Sequence, residues 1–417
     1  MVSRSAGPPR IRVCHFINTD VGIRVHLRNQ LLYLQSKGFE IAAACSPGDY
    51  IRGEGITDAG IPVKTFPMTR KISPFNDLIT LFRLYRYFRR EKFDIVHTHS
   101  LKPGFLGRVA AFLARVPIRI YTIHGFRFHD NMSFVVKKRD IYLERLGNWF
   151  GHIALSQGQL DIELAIRERI CKPDQIFYLG NGIDIRQFTA PMDSAAVWAK
   201  KQSLGIAPTD RVVGIVGRQT KIKGYFEFIE AAKTVVAQFP SVKFIMIGTS
   251  EEGNPDALGM QSLVRQSNLE GIVLPLGKRQ DMRELYGIMD VMTLPSWVEG
   301  VPRVLIEASI CGKPLVATDI PGNREVVQPG LNGLLIPVGD SQALANAILD
   351  LLTNEAKAAE MGERGQRRAL ELFDEQIYFR RLVQAYEDML RSKLPDKFAV
   401  YQAISGGLVD DSASRTE

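Results

Sequence analysis

The chain has 417 residues, 45% hydrophobic and 24% charged, which is more than one core ordinarily supports and a mix unlike that of a disordered or membrane-embedded protein. No apolar run reaches the ~20 residues that cross a bilayer, and residues 1–10 lack a secretory signal's apolar stretch, so the expectation is a cytoplasmic protein of two domains. The net charge of +8 is uneven: residues 1–190 hold 28 Lys+Arg against 16 Asp+Glu (+12) and the remainder 25 against 29 (−4), a basic half that suits an anionic partner without any nucleic-acid-binding signature beside it.

In chain order, short apolar runs at 11–17, 41–44, 63–66, 94–98, 118–122, 152–155 and 176–179 read as strands, with helical patterns such as 25–37, 105–114 and 159–169 between some of them. The pattern 76–92 places Leu78, Leu81, Phe82, Tyr85 and Phe88 at helical spacing, with Arg83, Arg86, Arg89, Arg90 and Lys92 mostly on other faces. This is either a domain helix with a solvated basic surface or an attachment to anionic lipid headgroups. Lys102, Arg127, Lys137, Lys138 and Arg139 are further cations available to an anionic partner. His97 and His99 end one strand, and His124 ends the next, in Tyr121-Thr-Ile-His124-Gly. Periodicity stops near Asn181-Gly182, and residues 189–210, with Pro191 and Pro208, read as a linker.

A second series of strands follows at 211–216, 242–247, 272–274, 291–294, 314–317 and 334–336, with helices such as 225–238 and 343–352. The predicted organisation is an N-terminal domain at 1–190, a second at 191–374, a helix at 375–392 packing back on the first, and a flexible polar tail at 393–417. Alternation of this kind gives two doubly wound, Rossmann-like α/β domains that face each other across a cleft. Cys14, Cys45, Cys171 and Cys311 lack metal-like spacing and read as reduced thiols.

Two segments of the second domain carry candidate chemistry. In Ser296-Trp-Val-Glu299-Gly300-Val301-Pro302, a strand turns into a helix whose free N–H groups suit an anion. Glu307 follows about two turns on, and a carboxylate accepts hydroxyls well. Glu299 could instead compensate the helix dipole, and Glu307 could form a surface salt bridge. In Gly217-Arg218-Gln-Thr-Lys-Ile-Lys223-Gly224, Arg and Lys on a Gly-flanked loop can converge on one diphosphate. No Asp-x-Asp pair stands at a strand end to hold a metal.

Taken together, Arg218-x4-Lys223, Glu299-x7-Glu307, Asn181-Gly-Ile-Asp184-x3-Phe188, Pro321-Gly-x2-Glu325, His97-Thr-His-Ser-Leu-Lys-Pro103-Gly and Thr122-x-His124-Gly resemble the family 4 glycosyltransferases of the GT-B fold, over residues 10–390. The first-domain motifs look like the branch that builds capsular and other surface polysaccharides on a lipid-diphosphate carrier. The resemblance implies a retaining transfer without a metal ion, from a nucleotide sugar (UDP before GDP) carrying a hexose or N-acetylhexosamine, to a lipid-linked saccharide. It also implies an enzyme peripheral on the cytoplasmic face of the inner membrane.

By the same resemblance Arg218 and Lys223 bind the diphosphate and Glu307 the ribose. Glu299, Gly300 and Val301 bind the donor sugar, and His124 meets the sugar near the reacting carbon. Many relatives have a Gly-Gly pair in the first loop, where this chain offers Gly22 alone. Alternatives are a non-hydrolysing UDP-N-acetylglucosamine 2-epimerase, a GDP-mannose-dependent mannosyltransferase and an inactive nucleotide-sugar-binding scaffold. Missing Gly-x-Gly-x-x-Gly after the first strand argues against a dehydrogenase.

Overall fold

The computed structural model describes residues 10–48, 56–69, 73–126, 128, 132–249 and 259–413, with side chains through residue 404. The chain divides into two compact units, Met1–Leu179 with Tyr378–Glu417, and Gly180–Ile377.

The first unit is built on a seven-stranded sheet in the order β3-β2-β1-β4-β5-β6-β7. Its strands are β1 (Arg12–Phe16), β2 (Glu40–Cys45), β3 (Val63–Thr65), β4 (Ile95–His99), β5 (Ile118–Ile123), β6 (Ile153–Ser156) and β7 (Ile176–Tyr178), all paired in parallel. Chain order reverses between β1 and β4, the place where doubly wound sheets open a crevice at their strand C-termini. Side chains alternate along a strand, so Ile11, Val13 and His15 share a face with Ile95, His97 and His99. The apolar part of that face packs in one core cluster with Tyr378, Phe379, Leu382, Tyr386, Met389 and Leu390, which all belong to the helix Glu375–Lys393.

The second unit carries a six-stranded parallel sheet, β10-β9-β8-β11-β12-β13. Its strands are β8 (Arg211–Val216), β9 (Val242–Ile247), β10 (Val273–Gly277), β11 (Val291–Leu294), β12 (Leu315–Thr318) and β13 (Gly333–Ile336). Here the order reverses between β8 and β11.

Three expectations change. The division between units falls at Leu179/Gly180 rather than at 190, because the expected linker is structured within the second unit. Helix Ser194–Ser203 is capped by Asp193, and its Lys200 pairs with Asp281. The expected flexible tail is a helix, Pro395–Ala413. Its Phe398 and Tyr401 belong to the first unit's core, and Lys397 Nζ lies 2.6 Å from Asp94 Oδ1.

The helical pattern at 76–92 forms as the helix Pro74–Glu91, but its inward face is Thr80, Leu84 and Phe88. Phe75, Leu78 and Phe82 are 75%, 64% and 57% exposed, so much of the apolar stripe points outward.

Leu382 is fully buried where the returning helix meets β1, β4 and β5. Leu382→Ala will destabilise the first unit by about 2–5 kcal/mol through lost burial and the cavity left behind. The check is a lower denaturant midpoint with an unchanged slope.

Candidate functional site

The loops that leave β8 and β11 come from neighbouring strands, so the parallel register alone brings them side by side. Gly224, at φ 74, starts the helix Tyr225–Gln238, and any Cβ there would strike the carbonyl of Pro295. That glycine lets the two loops close on each other, and Trp297 N–H donates to Ile222 O at 2.8 Å across the gap. Lys223 Nζ then reaches Glu299 Oε1 at 2.5 Å, both side chains being largely covered (16% and 11% exposed). Arg218 lies exposed on the same β8 loop.

The segment 299–301 is held from behind. Gly322 packs so closely that a Cβ would collide with the carbonyls of Glu299 and Gly300. Asn323 Nδ2 donates to Thr318 O at 2.9 Å, and the Thr318 hydroxyl donates to Ser296 O. Asn181 Nδ2 donates to Val301 O at 2.9 Å. The Val301 side chain is buried in the core, which leaves its backbone N–H as the group it can offer. The helix that follows is Arg303–Ile310, with Pro302 as its cap rather than its first residue.

Among the described residues Glu307, on that helix, forms no ion pair within salt-bridge distance. Tyr286 Oη donates to Glu307 Oε2 at 2.8 Å, and burial pushes the carboxyl above the ordinary glutamate range, partly offset by Arg303. Nothing in the Glu-x7-Glu spacing identifies Tyr286, which comes from a helix between β10 and β11. Beside the β8 loop, a cavity of about 640 Å³ opens at the ends of β8, β9 and β10, lined by Gln219, Gly248, Thr249, Leu276 and Gly277 among others. Two cations on the β8 loop, with one carboxylate on the β11 loop and one on the helix after it, are residue types that can hold a diphosphate together with hydroxyl-bearing groups.

The other candidate residues lie in the first unit. His124 follows β5, and its Nε2 lies 3.1 Å from His99 Nδ1. Burial lowers its pKa to about 4, so the imidazole is neutral near pH 7. Gly22 sits in a helical turn, and its N–H is taken by Thr19 Oγ1 at 3.1 Å. A Cβ there would crowd Ile17, which gives the glycine a packing role and no spare donor.

Lys102 turns inward, 2.6 Å from Asp77 Oδ1 with both side chains 14% exposed, and donates to Thr69 O at 2.8 Å. Its charge is spent joining two helices and is not presented to an acceptor. Arg83, Arg86 and Arg90 are exposed on the helix Pro74–Glu91, where Arg86 lies over the Phe82 ring and Arg90 pairs with Glu91 at 2.7 Å. Arg127 lies outside the described residues.

Comparison with known proteins bears on both units. Residues 21–182 match the family described as glycosyl transferase 4-like domain, and residues 196–368 match glycosyl transferases group 1. The chain is 33% identical to the UDP-Gal:alpha-D-GlcNAc-diphosphoundecaprenol alpha-1,3-galactosyltransferase of Escherichia coli, over 68% of this chain and 72% of that one. It is 28% identical to the capsular polysaccharide biosynthesis glycosyltransferase CapM of Staphylococcus aureus, over 91% and 98%. Among solved structures, Anabaena HepE in complex with UDP and glucose superposes with a TM-score of 0.76 at 23% identity, over 91% of this chain and 100% of that one.

Gly322→Ala will force the Glu299–Gly300 backbone away from its seat, an overpacking cost of about 1–3 kcal/mol. Thermal denaturation will show a lower Tm, and hydrogen exchange will accelerate at the amides of Gly300 and Val301.

Proposed function

The chain belongs to the family 4 glycosyltransferases of the GT-B fold, and from that premise we propose that it moves a hexose or N-acetylhexosamine from a UDP-sugar to a lipid-linked saccharide with retention of anomeric configuration. The observation that carries this reading is the Lys223–Glu299 pair, which joins the loops after adjacent strands β8 and β11, with Arg218 on the first loop and Glu307 in the helix after the second. The Escherichia coli relative's lipid-diphosphate acceptor and the UDP complexes of HepE support the choice of partners.

Arg218 and Lys223 hold the diphosphate. As the glycosidic bond breaks, the leaving UDP gains negative charge, and fixed cations stabilise that state more than the bound donor. In this role they substitute for a divalent ion. Glu307 accepts ribose hydroxyls, its Oε1 being clear of the Tyr286 bond. Glu299 and the amides of Gly300 and Val301 take the sugar hydroxyls, and His124 meets the sugar near the reacting carbon. No protein side chain is assigned as base: attack comes from the face the UDP leaves, and a phosphate oxygen of the leaving group takes the acceptor hydroxyl's proton.

The first unit's basic helix is assigned to the membrane surface. Phe75, Leu78 and Phe82 are outward-facing beside Arg83 and Arg86, the composition of an interfacial helix. Among the described residues no helix is long and apolar enough to cross a membrane, which fits a peripheral contact on the cytoplasmic face.

In buffer with EDTA, transfer from a UDP-sugar to an undecaprenyl-diphosphate saccharide will proceed, and Lys223→Ala will lower kcat/KM by about 100-fold or more, the scale of losing one transition-state charge contact. Glu307 must be ionised to accept two hydroxyls, and its pKa is raised, so donor kcat/KM falls as pH drops through a value above the usual glutamate range. Glu307→Gln will be weak and lack that acid limb. Near-normal kcat/KM in both variants contradicts the assigned site.

On vesicles, the protein will sediment with anionic lipid at low salt and release as salt rises, with ~1 kcal/mol per basic residue near the surface. The triple variant Phe75→Ser, Leu78→Ser, Phe82→Ser will bind more weakly. Equal binding to neutral vesicles removes the membrane assignment.

A further inference from the structure

Three adjacent strands of the first unit end in side chains that can both give and take a hydrogen bond. His15 pairs in register with His97, and His99 with Thr122; alternation then puts His15, His97, His99 and Thr122 on one face, with His124 two residues beyond Thr122. His15, His97, His99 and Thr122 are all 0% exposed. Tyr386, from the helix Glu375–Lys393, inserts its hydroxyl among them.

The contacts form one unbroken chain. Thr122 Oγ1 lies 2.6 Å from His97 Nε2, and His97 Nδ1 lies 2.7 Å from Tyr386 Oη. Tyr386 Oη is 3.1 Å from His15 Nε2. His15 Nδ1 is 3.0 Å from His99 Nε2, and His99 Nδ1 is 3.1 Å from His124 Nε2. Burial holds the imidazoles neutral, with His15 lowered to about 3, His124 to about 4, and His97 and His99 well below the usual range. A neutral imidazole has one N–H and one lone pair, so each contact dictates the next.

The far end sets the direction. Among the described residues the Thr122 hydroxyl has His97 Nε2 as its one hydrogen-bond partner, and a buried O–H without an acceptor costs about 1–3 kcal/mol. Thr122 therefore donates to Nε2, and His97 Nδ1–H donates to Tyr386 Oη. The tyrosine hydroxyl donates to His15 Nε2, His15 Nδ1–H to His99 Nε2, and His99 Nδ1–H to His124 Nε2. Gln30 Nε2, 3.5 Å from His15 Nδ1, is too distant to compete with the 3.0 Å contact; the other end of that amide, Oε1, accepts from Tyr378 Oη. The Gln157 side chain also hydrogen-bonds His124.

We propose that Thr122, His97, Tyr386, His15 and His99 are positioning residues, a polarised hydrogen-bond chain that holds His124 as the tautomer protonated on Nδ1. The step to function rests on the reading that His124 meets the donor sugar. With Nε2 occupied as an acceptor, the remaining ring nitrogen is a hydrogen-bond donor that a sugar hydroxyl or ring oxygen would take over from Gln157, and it lacks the lone pair a general base needs.

The same face brings ligand atoms of His15, His97 and His99 within 4.8 Å of one another. A divalent cation there would break at least two of these hydrogen bonds and bury its charge with no carboxylate among the chain's members, so metal binding is the rival outcome of the test.

The experiment is long-range 1H–15N correlation spectroscopy on protein with its seven histidines labelled, His124 being assigned with His124→Asn. The wild type will show neutral His124 protonated at Nδ1. In Thr122→Val the chain loses its terminal donor, an Nε2-protonated population appears at His124, and kcat falls about tenfold with donor KM within about twofold, the signature of a contact made mainly in the transition state. Thr122→Ser will restore both readouts, and Tyr386→Phe, which interrupts the chain at a second point, will reproduce the Val result.

Wild-type His124 protonated at Nε2, an Nδ1 tautomer unchanged in both Thr122→Val and Tyr386→Phe, or ligand-field bands on adding one equivalent of Co²⁺ would each overturn the proposal. The spectra need no substrate: expected tautomers in a protein that transfers no sugar would uphold the chain and remove the transfer reading.

Discussion

The contact between Lys223 and Glu299 is the interaction on which the second unit's crest depends. It ties the loop after β8 to the loop after β11 at 2.5 Å, and each charge is covered enough that it would be costly to leave alone. In the proposed reaction a diphosphate approaching Lys223 would compete with Glu299 for the same ammonium, so binding would exchange one anionic partner for another. The carboxylate so released would have its lone pairs open to hydroxyl groups of the sugar that the diphosphate carries. One ion pair thus pre-places both the cation and the acceptor that a nucleotide sugar would use.

That contact is possible because the backbone around it is allowed to come close. Gly224 admits the carbonyl of Pro295, and Gly322 admits the carbonyls of Glu299 and Gly300. The β12 end then holds the 296–301 segment through Asn323, Thr318 and Ser296. These residues touch no substrate in the proposed reaction. They fix the positions of those that do, and a displacement of an ångström at such a point costs more than its local strain suggests.

Much of this was legible in the sequence, and the exceptions have a common cause. The strands of a parallel sheet are buried on both sides, so they appear as apolar runs whatever else the chain does, and the loops that follow them carry the charged motifs. What a linear pattern cannot supply is which neighbour arrives. The 76–92 pattern has helical period, yet Phe75, Leu78 and Phe82 point outward because the inward face was chosen by the sheet beneath. Lys102 looks like a free cation until Asp77 is seen beside it. The polar end of the chain reads as a tail, although Phe398 and Tyr401 anchor it in the first core. Glu307 acquires Tyr286, 21 residues away, with nothing in either motif to announce it. The histidines at two strand ends were visible, but His15 joined them, and their alternation became a chain, only once the order β1-β4-β5 put them on one face.

The two candidate clusters treat polar chemistry in opposite ways. At the second unit's crest full charges are paired, and an anionic ligand can exchange with one of them. The first unit's histidine cluster joins imidazoles and hydroxyls with no charge, where a proton's position is decided by hydrogen-bond arithmetic and held by the cost of an unpaired donor. This division suits a reaction in which charge develops on the leaving diphosphate and little proton transfer is asked of the protein. Cations belong where the phosphates are, and the group that meets the sugar serves best as a fixed donor. A histidine with a low pKa is often taken for a general base, but basicity needs a lone pair facing the proton. In His124 the chain from Thr122 turns that lone pair inward toward His99.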